Sequence, residues 1–315
     1  MTLQEATLEK LIYPLKKPYV LSFVTLTEFI SIQLSLKIEG KKVQAEVVPL
    51  FGYNDFKPDD IYNFLEQWCS HAVGKSVIYL REEAAKLIQE KGFLVSPILT
   101  AIDVFFMWNA LKSPMRSVEF ITPFSSKDYA DISFDKNREY KLKLSNVIEQ
   151  DIHVLKHLTA IQFRSPIRTD ANQIYTLDTA IDFFEAIIEN KLENKIAYVE
   201  QPVAAQDWKS ITYLRKNYPQ ISIMLDESIV SDQDIYRAKS IGINFIKLKL
   251  FKQGGIKELI QQAQLCKLLG INVVLGNGVA TKLSNQIENH VFSSIPLFYG
   301  ASEANGFLKL KEDGR

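Results

Sequence analysis

Apolar and polar positions alternate with period two from Leu8 to Val48: Phe29-Ile-Ser-Ile-Gln-Leu-Ser-Leu-Lys-Ile38, a break at Glu39-Gly40, then Val43-Gln-Ala-Glu-Val-Val48. Alternation of that length predicts an antiparallel meander. The period then lengthens. Pro58 and Asp59 open a helix over 58–70, a second is expected at 80–89, and Ser96-Pro97 is expected to cap a third running through Ile102, Phe105, Phe106 and Trp108. Proline is tolerated in a first helical turn and not in the interior. The first hundred residues therefore read as an α+β module. After Met115, short apolar runs alternate with amphipathic stretches, the runs falling at 118–121, 140–144, 167–169, 196–199, 221–225, 245–250, 273–275 and 297–299. Eight strands joined by helices are what a closed parallel (β/α) barrel requires. The third run has an uncertain start, because Ser165-Pro166 interrupts it. The expected organisation is an α+β domain at 1–111, a barrel at 112–298, and a tail at 299–315 that completes the first domain.

Three of these runs end in an acid. Asp170, Glu200 and Asp226 close Pro166-Ile-Arg-Thr-Asp170, Ile196-Ala-Tyr-Val-Glu200 and Ile221-Ser-Ile-Met-Leu-Asp226, at the near-even spacings 200 − 170 = 30 and 226 − 200 = 26. In a parallel barrel the carboxyl ends of successive strands converge on one mouth. Three carboxylates there repel one another unless a hard divalent cation lies between them. Oxygen-only ligation with room for water suits Mg²⁺, with Mn²⁺ as a substitute. One strand-end acid is ordinarily a helix cap; three in phase are not explained that way.

Two other runs carry cations. Lys141 and Lys143 share one parity in Tyr140-Lys-Leu-Lys-Leu144, as do Lys247 and Lys249 in Phe245-Ile-Lys-Leu-Lys-Leu250. One reading is a pair of half-solvated strands with lysines facing water. Barrel strands, however, are covered on both faces, so an ammonium there needs a partner or a function. On the strands before and after the acids, Lys143 and Lys249 would face each other across the metal. A lysine near a divalent cation and a second ammonium has its pKa lowered toward neutrality, which suits a base acting on a carbon acid. The metal would hold a substrate carboxylate and stabilise the enediolate charge.

Composition narrows the partners. The chain has 315 residues, 47% hydrophobic and 23% charged, enough for a substantial core and without the signs of disorder. Lys plus Arg and Asp plus Glu both total 37, which leaves no electrostatic footprint for nucleic acid or an anionic membrane. A small carboxylate metabolite is the expected partner, with self-association into a homo-oligomer open. Cys69 and Cys266 are the two cysteines, too few for a disulfide framework, and Cys266 reads as a buried thiol on a helix over 256–269. The first residues show no cationic segment leading into an apolar core, so a cytoplasmic protein is expected.

The segments Arg168-Thr-Asp-Ala-Asn-Gln173, Val199-Glu-Gln-Pro202, Leu225-Asp-Glu-Ser228 and Ile246-Lys-Leu-Lys-Leu-Phe-Lys-Gln-Gly-Gly-Ile256 resemble, in order, the barrel motifs of the enolase superfamily, and among them those of its muconate-lactonizing subgroup. Ala45-Glu-Val-Val-Pro-Leu-Phe-Gly52 resembles part of that superfamily's capping domain. The resemblance implies Mg²⁺ bound by Asp170, Glu200 and Asp226, Asn172 near the substrate or behind the ligands, and Lys143 and Lys249 as the acid/base pair. A histidine base is not indicated, since none of His71, His153, His157 and His290 falls at a late strand end. His153 and His157 are four apart on a predicted helix, where a solvated face is the simpler reading.

Within the subgroup the chain is similar to o-succinylbenzoate synthases in its compactness, in the short stretch between Lys143 and Asp170, and in Pro49-Leu-Phe-Gly-Tyr53. That similarity implies dehydration of a cyclohexadiene carboxylate on the menaquinone pathway, with Lys143 removing the α-proton and Lys249 stabilising charge. A racemase or dipeptide epimerase would use the same two lysines on opposite faces, and a catalytically silent binding barrel is a third class. Lys141, Asn172, Gly276, Asn277 and Glu303 are the candidate substrate contacts, with Glu303 able to hold a cation and the Gly276–Gly278 amides able to hold a carboxylate or simply make a turn. By resemblance Tyr19, Phe23, Phe51 and Tyr53 would line a lid; interdomain packing is the alternative. Trp108 and Trp208 read as core.

Overall fold

Alternating burial in the N-terminal meander divides its sheet into an apolar face and a polar one. The computed structural model describes residues 1–20, 24–50, 56–112 and 117–311. Strands β1 (Leu3–Val20), β2 (Thr25–Ile38) and β3 (Lys41–Val47) pair antiparallel in sequence order. Glu39 and Gly40 both have positive φ, 48° and 74°, the left-handed pair whose twist matches two flanking strands. Ile32, Leu34, Leu36 and Ile38 point to one face and pack on helices α1 (Pro58–Ala72), α2 (Val77–Lys86) and α3 (Ile88–Phe106), through Ile61, Leu65, Leu80, Leu99 and Ile102. A short helix α4 (Trp108–Lys112) follows.

Helix α3 departs from expectation. It starts at Ile88 rather than at Ser96-Pro97, with one non-helical residue at Lys91 and Pro97 inside the helix. Leu94, Val95, Ile98, Leu99 and Ile102 on that helix are all buried, and the burial of so many apolar side chains outweighs the single backbone hydrogen bond that the proline removes.

The other face of the meander meets the barrel through polar groups. Glu46 accepts from the backbone amides of Thr281 (2.9 Å) and Ser284 (3.2 Å), from the Thr281 hydroxyl (2.7 Å) and from the Ser31 hydroxyl (2.6 Å). A buried carboxylate thus caps the start of a barrel helix, where the free amides and the helix dipole favour negative charge.

The barrel contains strands β4 (Thr122–Ser125), β5 (Tyr140–Lys143), β6 (Ile167–Asp170), β7 (Ile196–Glu200), β8 (Ile223–Leu225), β9 (Phe245–Leu248) and β10 (Asn272–Leu275), parallel and in sequence order. Helices α5 (Ile148–Thr159), α6 (Leu177–Glu189), α7 (Trp208–Asn217), α8 (Asp232–Ser240), α9 (Leu250–Gln253), α10 (Ile256–Leu268) and α11 (Lys282–Ser294) connect or follow them. Among the described residues the sheet has seven strands where eight were expected. The 297–299 run makes one isolated parallel bridge, Val273 with Phe298, and a second, Phe120 with Ser302, follows it. Pro296 lacks a ladder donor and Gly300 has φ 61°, so extended pairing cannot run through this stretch. The first expected strand, 118–121, lies instead at Thr122–Ser125, because Phe120 is engaged with Ser302.

The barrel's main core lies between strands and helices and includes Leu142, Phe183, Phe184, Val199, Ile211, Ile246 and Leu259. Cys266 belongs to it, as expected. Inside the barrel, Tyr198, Met224, Phe245 and Val274 form a separate apolar plug. Two residues further along three of these runs, at Glu200, Asp226 and Lys247, the positions of the same parity are charged, while the fourth carries Gly276. Among the described residues no helix is long and apolar enough to cross a membrane.

Candidate active site

Two layers of charge lie above the apolar plug. The lower is built on Glu303, which follows the irregular 297–299 stretch. Its Oε2 accepts from Lys141 (2.8 Å) and Lys247 (2.6 Å), and its Oε1 from Arg168 (3.0 Å) and the Tyr198 hydroxyl (3.3 Å). Glu200 shares the same lysines: Lys141 donates to its Oε2 and Lys247 to its Oε1 (3.2 Å). Arg168 also bonds Glu139 at 2.6 Å. Every one of these groups except Glu139 is buried. Burial works against the Lys141 ammonium, yet Asp170, Glu200 and Glu303 hold its pKa well above the usual lysine value. Glu303, despite burial, is held well below the carboxylate range by Lys141, Lys247 and Arg168. Opposite charges at this distance in a dry interior fix each other's ionisation.

The upper layer is the rim. Asp170, ending β6, accepts from Lys143 at 2.5 Å and Lys141 at 3.0 Å on Oδ2, and from the Asn172 amide at 3.0 Å on Oδ1. Asn172 sits in the left-handed region, φ 44°, and its Oδ1 accepts from Lys143 at 2.8 Å. Asp226, one residue beyond β8, takes Lys249 at 2.6 Å and Lys252 at 2.9 Å. Lys252 also donates to the carbonyls of Asp226 and Lys247. Lys143 and Lys249 therefore end up on opposite sides of the mouth, β5 and β9 being separated by β6, β7 and β8. A cavity opens between them, walled also by Tyr19, Glu227, Asn277, Gly278, Asn305 and Lys309. Glu227 has one carboxylate oxygen buried with no partner, and burial next to Asp226 pushes its pKa up to about 7.

Most residues singled out from the sequence converge here: Asp170, Asp226, Lys141, Lys143, Lys249, Asn172, Asn277 and Glu303 all wall the cavity, and Glu200 lies beneath it, bonded to Lys141 and Lys247. Two differ in detail from expectation. The Gly276 amide is not offered to a ligand, since it donates to the Leu248 carbonyl at 3.2 Å. With φ 157° and a Cβ position only 2.2 Å from the Glu303 carbonyl carbon, Gly276 is required to let that backbone pass. Glu303 is not open to a substrate cation either, because both of its oxygens already hold ammonium, guanidinium or phenol donors. Burial lowers the Lys143 pKa, but Asp170 and Tyr19 outweigh it and hold it above the usual lysine value; the lowering expected from the sequence belongs to a site in which a divalent cation takes up the charge of Asp170. His153 and His157 are exposed, and Trp208 is buried. Of the expected lid, Tyr19 reaches the cavity, while Phe23, Phe51 and Tyr53 lie outside the described residues.

Sequence reasoning missed Lys252, Lys247's role under the rim, and Arg168. Lys252 was legible as Lys249 plus three, one turn along a helix, although the helix is only four residues long. Arg168 shares Asp170's parity and so had to point inward.

Among the described residues no three His, Cys, Asp or Glu side chains are grouped so as to hold one metal ion. Ammonium groups stand between the acids instead. The donor chemistry nevertheless fits Mg²⁺: three buried carboxylates, oxygen only, at the ends of consecutive strands, two of them close enough to share Lys141. Metal entry requires those ammonium contacts to be exchanged.

Comparison with known proteins bears on the family and the fold. Residues 130–313 match the family model described as enolase C-terminal domain-like. A hydrophobic dipeptide epimerase of Enterococcus faecalis is 33% identical over 138 residues, 43% of this chain and 38% of that protein. An o-succinylbenzoate synthase of Bacillus subtilis is 28% identical over 167 residues, 53% of this chain and 43% of that protein. The matched segment thus spans less than half of either relative. A solved structure of a dipeptide epimerase from Enterococcus faecalis, complexed with Mg and L-Leu-L-Tyr, superposes with a TM-score of 0.82 over 99% of this chain and 92% of that one. At 20% identity it shows the shared fold.

Proposed function

The chain belongs to the enolase superfamily of enzymes, and we propose that it removes the proton α to a substrate carboxylate, with Lys143 and Lys249 as the proton-carrying pair. The observation behind this is the placement of two ammonium groups on opposite walls of one cavity, each against a different strand-end acid. Asp170, Glu200 and Asp226 are the residues that would hold Mg²⁺, which would supply charge to steady the substrate carboxylate as its α-carbon loses the proton. The chain's own contribution is positional. Asp170 and Asn172 fix the Lys143 ammonium from two directions, and Asp226 fixes Lys249. A base held within reach of one proton gains from orientation as well as from basicity.

The overall reaction favoured is dehydration of the o-succinylbenzoate-synthase kind. Lys143 takes the α-proton, the C–H electron pair becomes the new C=C bond, and the β-hydroxyl leaves with the proton Lys143 returns. Lys249 stays charged beside the developing negative charge. The saturation of Glu303 supports a substrate without a free ammonium, because this acid has no oxygen left to receive one. A second reading, epimerisation of an N-acylated amino acid or dipeptide, is favoured by the opposition of the two lysines and by the 33% identity to a dipeptide epimerase. There Lys249 would deliver a proton to the opposite face.

The test is α-proton exchange in D₂O, followed by NMR with the Mg²⁺-loaded protein and the cyclohexadiene carboxylate beside N-acyl amino acids and dipeptides. Water loss from the first marks dehydration, D-product from the others marks epimerisation, and no exchange with any of them leaves a silent binding barrel.

A further inference from the structure

Of the five residues given to the metal and the proton, two lie beyond the sheet. Lys143 is the register partner of Asp170, and Asp170 that of Glu200, so the ladder itself sets the place of these three. Asp226 and Lys249 come one residue after β8 and β9 end, at Leu225 and Leu248, past the last paired positions of those strands. Both are nevertheless buried. A buried backbone N–H needs an acceptor, and the ladder no longer gives one there.

In both cases the acceptor is the side-chain oxygen of a buried glutamine. Gln253 Oε1 accepts from the Lys249 amide at 2.7 Å, and its Nε2 donates to the Ile229 carbonyl at 3.5 Å. Gln201 Oε1 accepts from the Asp226 amide at 3.1 Å and the Ser228 amide at 3.2 Å. Its Nε2 donates to the Ser228 hydroxyl at 2.8 Å and the Val203 carbonyl at 3.1 Å. These partners fix which end of each side-chain amide is oxygen, because an N–H requires an acceptor and a carbonyl a donor. Gln201 has φ 36°, a left-handed conformation that is uncommon for residues other than glycine and persists where surrounding bonds over-determine it. Its own N–H donates to the Met224 carbonyl and its carbonyl accepts from the Gln173 amide, both at 2.8 Å. A neutral amide suits this place, since it takes two N–H bonds without setting a further negative charge beside Glu200 and Asp226.

We propose that Gln201 and Gln253 are positioning residues, each replacing the missing sheet partner of one residue of the site: Gln201 holds Asp226 for a divalent cation, and Gln253 holds Lys249 for proton transfer. The inference rests on the roles proposed above for Asp226 and Lys249. It adds that these two, unlike Lys143, Asp170 and Glu200, depend on side chains for their place.

The first measurement needs neither metal nor substrate. Backbone amide hydrogen exchange of the full chain, resolved by NMR, should show the Asp226 and Lys249 amides protected. Gln253→Met should cost the Lys249 amide roughly two- to tenfold in protection, the worth of one hydrogen bond, while the Lys143, Asp170 and Glu200 amides keep theirs. Gln253→Glu, which keeps an oxygen at that position, should restore it. Gln201→Met should act likewise on the Asp226 amide; if that variant does not fold, the amide is read in Gln201→Glu, where it should stay protected. The second measurement asks what each glutamine holds. Gln201→Met should weaken Mg²⁺ binding on the order of ten- to a hundredfold, as loss of a group behind a metal ligand does. Gln253→Met should lower α-proton exchange by the Mg²⁺-saturated protein and leave Mg²⁺ affinity in place, a split that a purely structural role would not produce. Unprotected Asp226 and Lys249 amides in the unaltered protein, or an unprotected Asp226 amide in Gln201→Glu, overturn the assignment. So does full Mg²⁺ affinity in Gln201→Met where Asp226→Asn has lost it, or full proton exchange in Gln253→Met where Lys249→Met has lost it. Unaltered Mg²⁺ binding in Asp226→Asn, or unaltered exchange in Lys249→Met, rejects instead the roles proposed for those residues, so the two failures are distinguishable.

Discussion

The floor and the rim of the barrel interior are made of the same residue types and behave differently. On the floor, Glu303 and Glu200 are enclosed by Lys141, Lys247, Arg168 and Tyr198, and each carboxylate oxygen is taken. At the rim, Lys143 is only partly buried and, with Lys249, faces a cavity. A closed network yields a group to a ligand only when an existing contact is exchanged, as at Glu200, and its members stabilise one another's charge. A network that opens on a cavity keeps donors that a ligand can claim. Charge alone therefore does not mark an active site in this molecule; incomplete enclosure does.

The largest effect should come from breaking the rim. Lys143→Ala should lower α-proton exchange by a factor on the order of 10²–10⁴, the usual worth of a positioned acid or base, while leaving the fold intact, because this lysine is partly exposed. Exchange at the unaltered rate would remove Lys143 from the reaction. The floor should answer in the opposite currency. Glu303→Ala removes a shared carboxylate from two ammonium groups and a guanidinium, leaving the three buried cations on Glu200, Asp170 and Glu139, so it should cost about 3–5 kcal/mol of stability, read by urea unfolding. A loss below about 1 kcal/mol would show that water reaches the floor and screens it.

This contrast was half legible in the sequence. The strand-end acids and the paired lysines follow from period-two parity in covered strands, so Asp170, Glu200, Asp226, Lys143 and Lys249 could be named from spacing alone. Glu303 was found, but not the cations it holds. Its partners come from β5, β6 and β9, and no local pattern discloses that three distant cations meet one acid. Gly276 was left between a turn and a carboxylate-binding amide for the same reason: the clash it avoids is with the backbone of Glu303, 27 residues further on. The fold failed to declare itself where local rules lost to packing, at Pro97 within α3 and in the eighth run, which Pro296 and Gly300 break into bridges.

A third region tests whether the rim has a dry support. Glu288 on α11 is fully buried and accepts from the Leu250 amide at 3.1 Å, directly behind Lys249, and from Asn285 at 3.0 Å. Burial outweighs those two bonds and pushes its pKa from 4.5 up to about 7. The folded protein then holds this proton more tightly than the unfolded chain does. Stability from this group is full below about pH 4.5, is lost as the pH rises toward 7, and is constant above that. Between pH 5 and 8 the stability gap between the natural protein and Glu288→Gln should move in the variant's favour, by an amount on the order of 3 kcal/mol at most. A gap that does not change with pH would mean that Glu288 is ionised throughout and that the support behind Lys249 is wet.

The smallest change separates floor from rim most sharply. Lys247→Met removes one cation but leaves Glu200 with Lys141, and Glu303 with Lys141 and Arg168. No carboxylate is stranded, so the cost in stability should be roughly 1–3 kcal/mol, the range for losing one buried partner, and below that of Glu303→Ala. Its effect on the metal should run the other way. In the structure Lys247 holds Glu200 Oε1, so if Glu200 helps to hold Mg²⁺, ammonium and metal would compete for this carboxylate. Removing the competitor should tighten Mg²⁺ binding, whereas Asp226→Asn, which removes a proposed ligand, should weaken it. Titration calorimetry of both variants gives the two signs directly. If Lys247→Met weakens Mg²⁺ binding, Lys247 is organising Glu200 for the metal instead of withholding it, and the floor belongs to the catalytic apparatus after all.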